Sequence, residues 1–371
     1  MSETYDAIVL GAGAWGSAAV QHIATRNRRV LCVDRYRPPH VYGSTHGHSR
    51  LINSNAETSS RNFRLIMRSY ELWRELEKAS GRELMQQVGY LFVGSPGSKR
   101  MAGSLESYGS EAVPYEVLSE ADIGTRFPQF RLRPGEVGIF DPEAARLDPE
   151  ACVSAALDVA ARNGATLRFD EPVLDWTASD GGVEVVTAKD RYHADRLVIA
   201  LGPWTSELAK LQLPLWIERQ VMVWYAHDEE SLSGFSFPAE PPATSIYGVP
   251  EAGGKIKVAI HHGGPPTEPD SVSPVDDKDL EAVRRMLAVR VPILTKVLES
   301  ATCMYTNSPD LQYVIGPHPL FDRVAILAAG SGRGFHQAQV IGEFAADWVD
   351  ERMRTDLDWL SPHRFAEAAG V

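Results

Sequence analysis

An apolar run, Ala7 to Leu10, meets Gly11-Ala12-Gly13-Ala14-Trp15-Gly16, and a second run, Val30 to Val33, ends on Asp34. That order reads as strand, glycine turn, helix, strand and acid, the unit that binds a dinucleotide. Gly11 permits the tight turn, Gly13 lets the backbone approach a pyrophosphate, and Gly16 lets the helix sit close to the strand. The helix N-terminus offers N–H groups and a positive dipole end to the phosphates. Asp34 accepts hydrogen bonds from a ribose diol. The motif does not distinguish NAD from FAD.

The 371 residues suffice for about two domains. A net charge of −12 disfavours nucleic acid and anionic membrane surfaces as partners. No apolar stretch is long enough to span a bilayer. The N-terminus has no basic region followed by an apolar one, so no secretory signal is expected. The first strand begins close to Met1, which leaves no room for a transit peptide. The three cysteines, Cys32, Cys152 and Cys303, are widely spaced. They form neither a disulfide framework nor a zinc site, no metal is expected, and the usage suits a reducing cytoplasm.

Asn62 to Ala79 predicts an amphipathic helix, with Phe63, Ile66, Tyr70 and Trp73 recurring at helical spacing as a core stripe. Asp148-Pro149 reads as an N-cap with proline in the first turn, and Asn163-Gly164 as the matching stop. Strands are expected at Ala165 to Phe169, Leu197 to Leu201 and Val324 to Ala329. The last meets Gly330-Ser331-Gly332-Arg333-Gly334, followed by a helix from His336 to Arg352. Residues 215–302 alternate apolar and polar positions between turns such as Pro238 to Pro242 and Gly263 to Pro266, which predicts an antiparallel sheet. The chain therefore weaves twice between a dinucleotide domain and a substrate domain. Within the sheet region Lys255, Lys257, Ala259 and His261 share one strand face, and Ile256, Val258 and Ile260 the other. By composition alone the first face reads as solvated, and Cys303 as a small buried apolar residue.

Several of these segments occur together in a known family. The chain resembles the FAD-dependent amine oxidases of the monomeric sarcosine oxidase and N-methyltryptophan oxidase group, with the D-amino-acid-oxidase-like fold. The markers are the N-terminal glycine motif with Asp34; Gly43-Ser44-Thr45-His46-Gly47-His48-Ser49-Arg50; Ala200-Leu201-Gly202-Pro203-Trp204; Cys303-Met304-Tyr305-Thr306; and Gly330 to Phe335. The resemblance implies α/β plus α+β architecture. A Rossmann-like FAD-binding domain would comprise residues 1–82, 148–214 and 303–371. A substrate domain on a mainly antiparallel sheet would comprise 83–147 and 215–302.

The resemblance also implies roles. FAD is the cofactor, joined through the Cys303 sulfur to its 8α-methyl group. Lys257 sits over the flavin and promotes reaction with oxygen, His261 lies beside the amine, and Arg50 stabilises the reduced ring. Tyr247 and Tyr305 belong to the pocket. Ser44, His46, Ser49, Val173, Gly202, Trp204, Gly332, Gly334 and Phe335 join the glycine motif in holding the cofactor. The partners are a small amine and oxygen, and the chain is expected to act as a cytoplasmic monomer.

Two positions depart from the family. Its members hold the substrate carboxylate between an arginine and a lysine, and Asn53 and His336 stand at those positions here. Neither supplies the bidentate cation that offsets the burial of a carboxylate, so sarcosine is not the expected substrate. Arg333 is a new cation in the C-terminal glycine motif. It restores anion binding from another direction, lies beside the flavin, or faces solvent. His336 and His48 add titratable groups. The leading expectation is oxidation of a secondary amine to an imine with release of hydrogen peroxide. The alternatives are a dehydrogenase or biosynthetic tailoring oxidase with another acceptor, and a catalytically silent flavin-binding protein.

Overall fold

The structure, a computed structural model, describes residues 4–54, 60–110, 113–227, 232–238, 244–352 and 354–365. Strand Thr4–Leu10 lies between Arg191–Ile199 and Val30–Val33, parallel to both. Its apolar residues Ala7 to Leu10 are fully buried, as expected of a strand covered on both faces. Thr166–Arg168 extends the parallel set beyond Val30–Val33. Arg191–Ile199 serves two neighbours. Its first half pairs antiparallel with Gly182–Thr187, and its second half pairs parallel with Phe321–Ala328. The eight-stranded sheet is completed by Val173–Ser179 and Val314–His318.

Helix Ala14–Thr25 starts directly after the glycine turn, with Gly13 as its N-cap. Gly11 adopts φ +91°, and a Cβ on Gly16 would stand 1.9 Å from the Gly11 carbonyl oxygen. Turn and helix touch so closely that no larger residue fits. The expected cap at Asp148 is present: its Oδ1 accepts from Ala151 N at 2.8 Å and opens helix Pro149–Arg162. Helix Ser60–Ser80 buries Phe63, Ile66 and Trp73. Tyr70 is half-buried and donates its hydroxyl to the Ile52 carbonyl at 3.1 Å.

The C-terminal helix runs over Ala338–Val349, shorter at both ends than the expected His336 to Arg352. The residues before it form a turn, with Ala338 N donating to Phe335 O at 2.9 Å, and Arg352 N closes the far end on Asp347 O.

The second eight-stranded sheet has the order Val297–Asn307, Trp216–Ala226, Lys255–His261, Ser245–Glu251, Gly234–Pro238, Tyr90–Gly94, Val137–Asp141 and Glu116–Leu118. All its pairings are antiparallel except that of Gly234–Pro238 with Tyr90–Gly94. The turn expected across Pro238 to Pro242 falls largely at 239–242, outside the described residues. Arg50–Ile52, Ala145–Leu147 and Met85–Gln87 form a small three-stranded sheet. Among the described residues no helix is long and apolar enough to cross a membrane.

Candidate active site

A cavity of about 620 Å³ runs from the glycine turn to the antiparallel sheet. At the first end Gly11, Gly13, Asp34, Val173, Gly202 and Trp204 line it. Asp34 Oδ2 accepts from Ala12 N at 2.6 Å and Oδ1 from Tyr36 N at 2.8 Å. The acid thus braces the glycine turn it follows in sequence. Burial pushes its carboxyl up from the ordinary range, against those hydrogen bonds. Gly16 is behind the wall, in the packing contact with Gly11. Thr45, quoted in the loop motif but given no role, accepts from Ala14 N at 3.2 Å and covers the helix start.

At the other end, strand Lys255–His261 contributes Lys257, Ala259 and His261 to the wall. Ile256 and Val258 on its opposite face are fully buried against Phe235 and Val223. The alternation read from the sequence therefore separates core from cavity, not core from solvent. Lys257 is 1% exposed. Its Nζ donates to the carbonyls of Gly47, at 3.0 Å, and Ser49. Burial, and then the nearby Arg50, hold its pKa well below the usual lysine value. Arg50 donates to the carbonyls of Ser49, Ser44 and His46 at 2.8, 2.9 and 2.6 Å, and lies over the Phe335 ring at 5.8 Å.

Cys303 enters from Val297–Asn307, and its Sγ lies 3.5 Å from the Ser44 carbonyl on the cavity wall. Cys32 and Cys152 are buried elsewhere, and burial raises both thiols well above their ordinary pKa. His261 Nδ1 is 3.2 Å from the Tyr305 hydroxyl, which hydrogen-bonds in turn to Tyr247. Burial holds His261 well below the ordinary histidine value and pushes both tyrosines up. Gly332, at φ +74°, packs on two of these three: a Cβ there would stand 2.6 Å from the Tyr305 ring and 2.8 Å from His261. Gly334 and Phe335 continue the wall, and the Gly334 carbonyl accepts from Trp15 Nε1 at 2.8 Å.

Asn53, Arg333 and His336 all line the same cavity. Burial and then the Arg333 charge lower the His336 imidazole to about 4, so it is neutral at pH 7. Arg333 is half-buried, donates from Nη2 to the Leu311 carbonyl at 2.8 Å, and is close enough to depress His261. His46 and Ser49 lie off the wall. His46 gives its carbonyl to Arg50, and Ser49 gives its hydroxyl to Glu251 at 2.6 Å. Their glycine-rich loop turns carbonyls toward the two cations, and the side chains turn away.

Ser44, Gln220, Ser236, Thr306 and Gln337 line the cavity and each holds a buried side-chain polar atom with no partner among the described residues. Such atoms are uncommon in folded proteins and point to a polar ligand. A flavin dinucleotide fits this donor set. It has a pyrophosphate for the helix start and a polar ring edge for the orphaned groups. Of these five, Ser44 and Thr306 fall within motifs quoted from the sequence; Gln220, Ser236 and Gln337 carry no local motif.

A dinucleotide turn joined to an antiparallel sheet, with one elongated cavity between them, defines a flavoprotein oxidoreductase. The chain belongs to the FAD dependent oxidoreductase family, whose model matches residues 6–348. It is 37% identical over 360 residues to the monomeric sarcosine oxidase of Streptomyces avermitilis, covering 94% of each chain. It is 30% identical to the N-methyl-L-tryptophan oxidase of Salmonella arizonae, covering 98% of this chain and 100% of that one. Among solved structures, NikD, described as an unusual amino acid oxidase essential for nikkomycin biosynthesis, superposes with a TM-score of 0.87 at 24% identity, covering 97% of this chain and 98% of that one. Glycine oxidase from Geobacillus kaustophilus does so with a TM-score of 0.84 at 19% identity over the same shares. These two likenesses concern the fold.

Proposed function

We propose that the chain oxidises a secondary amine other than sarcosine at the carbon next to nitrogen, using covalently held FAD and reducing oxygen to hydrogen peroxide. The observation that carries the reading is the convergence of Cys303, Lys257 and His261, from two strands of one sheet, on a single cavity wall. Overall, a CH–NH group and oxygen give C=N and hydrogen peroxide, and water then splits C=N into a carbonyl compound and a shorter amine. Bound in the cavity, FAD supplies the acceptor for the hydride.

The residues named from the sequence take these roles. His261, held neutral by burial, orients the amine without adding a positive charge beside it. Tyr305 and Tyr247 fix the His261 ring through their hydrogen-bonded chain. Lys257 places a cation where negative charge develops on oxygen, and Arg50 adds a second one along the same wall. The Cys303 sulfur is the attachment point, and Gly11, Gly13, Asp34, Ser44, Val173, Gly202, Trp204, Gly332, Gly334 and Phe335 cradle the cofactor. Asn53, neutral His336 and Arg333 set specificity. Asn53 and neutral His336 disfavour a carboxylate beside the amine, and of these three residues Arg333 offers an anion partner. The FAD-binding part comprises 1–82, 148–214 and 303–371, and the substrate part 83–147 and 215–302. The name of the Streptomyces relative supports a monomer, and three unpaired cysteines fit the cytoplasm.

The test is a peroxide-coupled screen of secondary and N-methyl amines, with and without carboxylates, on purified protein. Peroxide with an amine that lacks an α-carboxylate, and little with sarcosine, is the expected result. Peroxide from none of them would overturn the reading.

A further inference from the structure

Lys257 is held by a loop that is itself gripped by two carboxylates. Its ammonium rests on the carbonyls of Gly47 and Ser49. From the other side, Glu150, in the first turn of Pro149–Arg162, accepts from Gly47 N at 2.8 Å and His48 N at 3.4 Å. Glu251, at the end of Ser245–Glu251, accepts from the Ser49 hydroxyl at 2.6 Å and from Trp224 Nε1 at 3.0 Å. Trp224 stands opposite Lys257 in the register of the neighbouring strand. Glu251 is therefore fixed by one residue that carries the lysine and another that is paired with it.

The charges around Lys257 explain why such a grip is needed. A fully buried lysine tends to shed its proton, and the Arg50 guanidinium on the same loop adds to that tendency. Two carbonyl dipoles oppose it but carry no net charge. His46, whose imidazole burial lowers to about 4, is neutral at pH 7 and brings no second positive charge. Cys303 shares the cavity wall. The carboxylates Glu251 and Glu150 supply the compensating negative charge. Neither forms an ion pair with a lysine or arginine among the described residues; the half-exposed His48 ring lies 3.9 Å from Glu251.

We propose that Glu251 is a positioning residue for Lys257. Its hydrogen bond to Ser49 sets the carbonyls that hold the ammonium, and its charge keeps that ammonium protonated. The proposal rests on the reading of Lys257 as the group that promotes reaction with oxygen.

The test uses holoenzyme with ¹⁵N-labelled lysine and follows the Lys257 side-chain signal by NMR against pH, the signal being assigned by its loss in Lys257→Met. In parallel, photoreduced holoenzyme is mixed with oxygenated buffer and the rate of reoxidation is read. Glu251→Gln keeps the shape and an acceptor for Ser49 but removes the charge. It is expected to lower the Lys257 midpoint by about one pH unit and to slow reoxidation about tenfold at neutral pH. Ser49→Ala keeps the charge and cuts the link, so it should slow reoxidation with a smaller change of midpoint, and it provides an independent probe should Glu251→Gln fold poorly. An unchanged midpoint and rate in both variants would overturn the proposal. If Lys257→Met reoxidises like the parent while Glu251→Gln still moves the midpoint, the oxygen role of Lys257 fails and the grip on its proton stands.

Discussion

His261 Nδ1 and the Tyr305 hydroxyl lie 3.2 Å apart, and the hydroxyl continues to Tyr247, so a three-membered polar chain runs along one wall of the cavity. Each member is held in its neutral form by burial. Because the hydroxyl of Tyr305 carries one proton, the direction of the chain fixes the His261 tautomer: with that proton given to Tyr247, Nδ1–H donates to Tyr305 and Nε2 is left as the acceptor.

Tyr305→Phe should weaken this orientation without removing the imidazole. Loss of one neutral hydrogen bond is worth about 1 kcal/mol, or roughly a fivefold drop in kcat/KM. The measurement is steady-state kinetics with the best amine from the screen, compared across pH. His261 has a folded-state pKa well below its ordinary value, so it should add no ionisation between pH 6 and 8. Activity should rise with pH because the amine must lose its proton. A rate flat from mildly acid to alkaline pH would contradict this.

Cys303→Ser should leave the protein able to bind FAD but unable to keep it on denaturation. Acid precipitation of the parent should give a yellow pellet, and of the variant a colourless pellet with the flavin in the supernatant. Colour released equally from both would remove Cys303 as the attachment point.

The double variant Asn53→Arg with His336→Lys places cations at the two positions where this chain departs from the sarcosine oxidase pattern. A charge-assisted hydrogen bond contributes about 1.5–3 kcal/mol. The variant should therefore gain sarcosine turnover by roughly tenfold to a hundredfold in kcat/KM. Peroxide release with sarcosine before and after substitution checks it. No gain would show that the cavity rejects the α-carboxylate for a reason other than missing charge.

A stability prediction comes from His22, far from the cavity and bonded through Nε2 to Gln339 Oε1 at 3.0 Å. Burial lowers its pKa from 6.5 to about 4. Between those values the unfolded chain binds the proton and the folded chain does not, so stability is greatest above pH 6.5 and falls as pH drops toward 4. The shift corresponds to about 3 kcal/mol at most. His46 and His336, also lowered to about 4, act in the same direction. Urea midpoints measured from pH 7 to 4 should decline, and His22→Gln should make the decline shallower.

The glycine turn, the cap at Asp148 and the stripe Phe63, Ile66 and Trp73 were legible because each is a local rule with a short period. The antiparallel strands within 215–302 were legible for the same reason, but helix Asp277–Arg290, opened by the Asp276 cap, was not expected there and corrects that reading. The environment of Lys257 was not. Alternation separates two faces of a strand without saying what covers either, and the loop covering this one comes from residues 43–49, some two hundred positions earlier in the chain. Resemblance to a family supplied what periodicity lacked. Neither route reached Glu251, Gln220, Ser236 or Gln337, which owe their importance to partners distant in sequence. Arg333, for which the sequence left three alternatives, is half-buried on the cavity wall with its guanidinium on the Leu311 carbonyl.

The packing at Gly332 limits how this pocket can be altered. The C-terminal glycine loop packs against the rings of Tyr305 and His261 at a position where no side chain fits. Even an alanine there would press on both rings at once. Libraries meant to broaden substrate range would do better to vary Asn53, Arg333 and His336 and keep residue 332 unchanged.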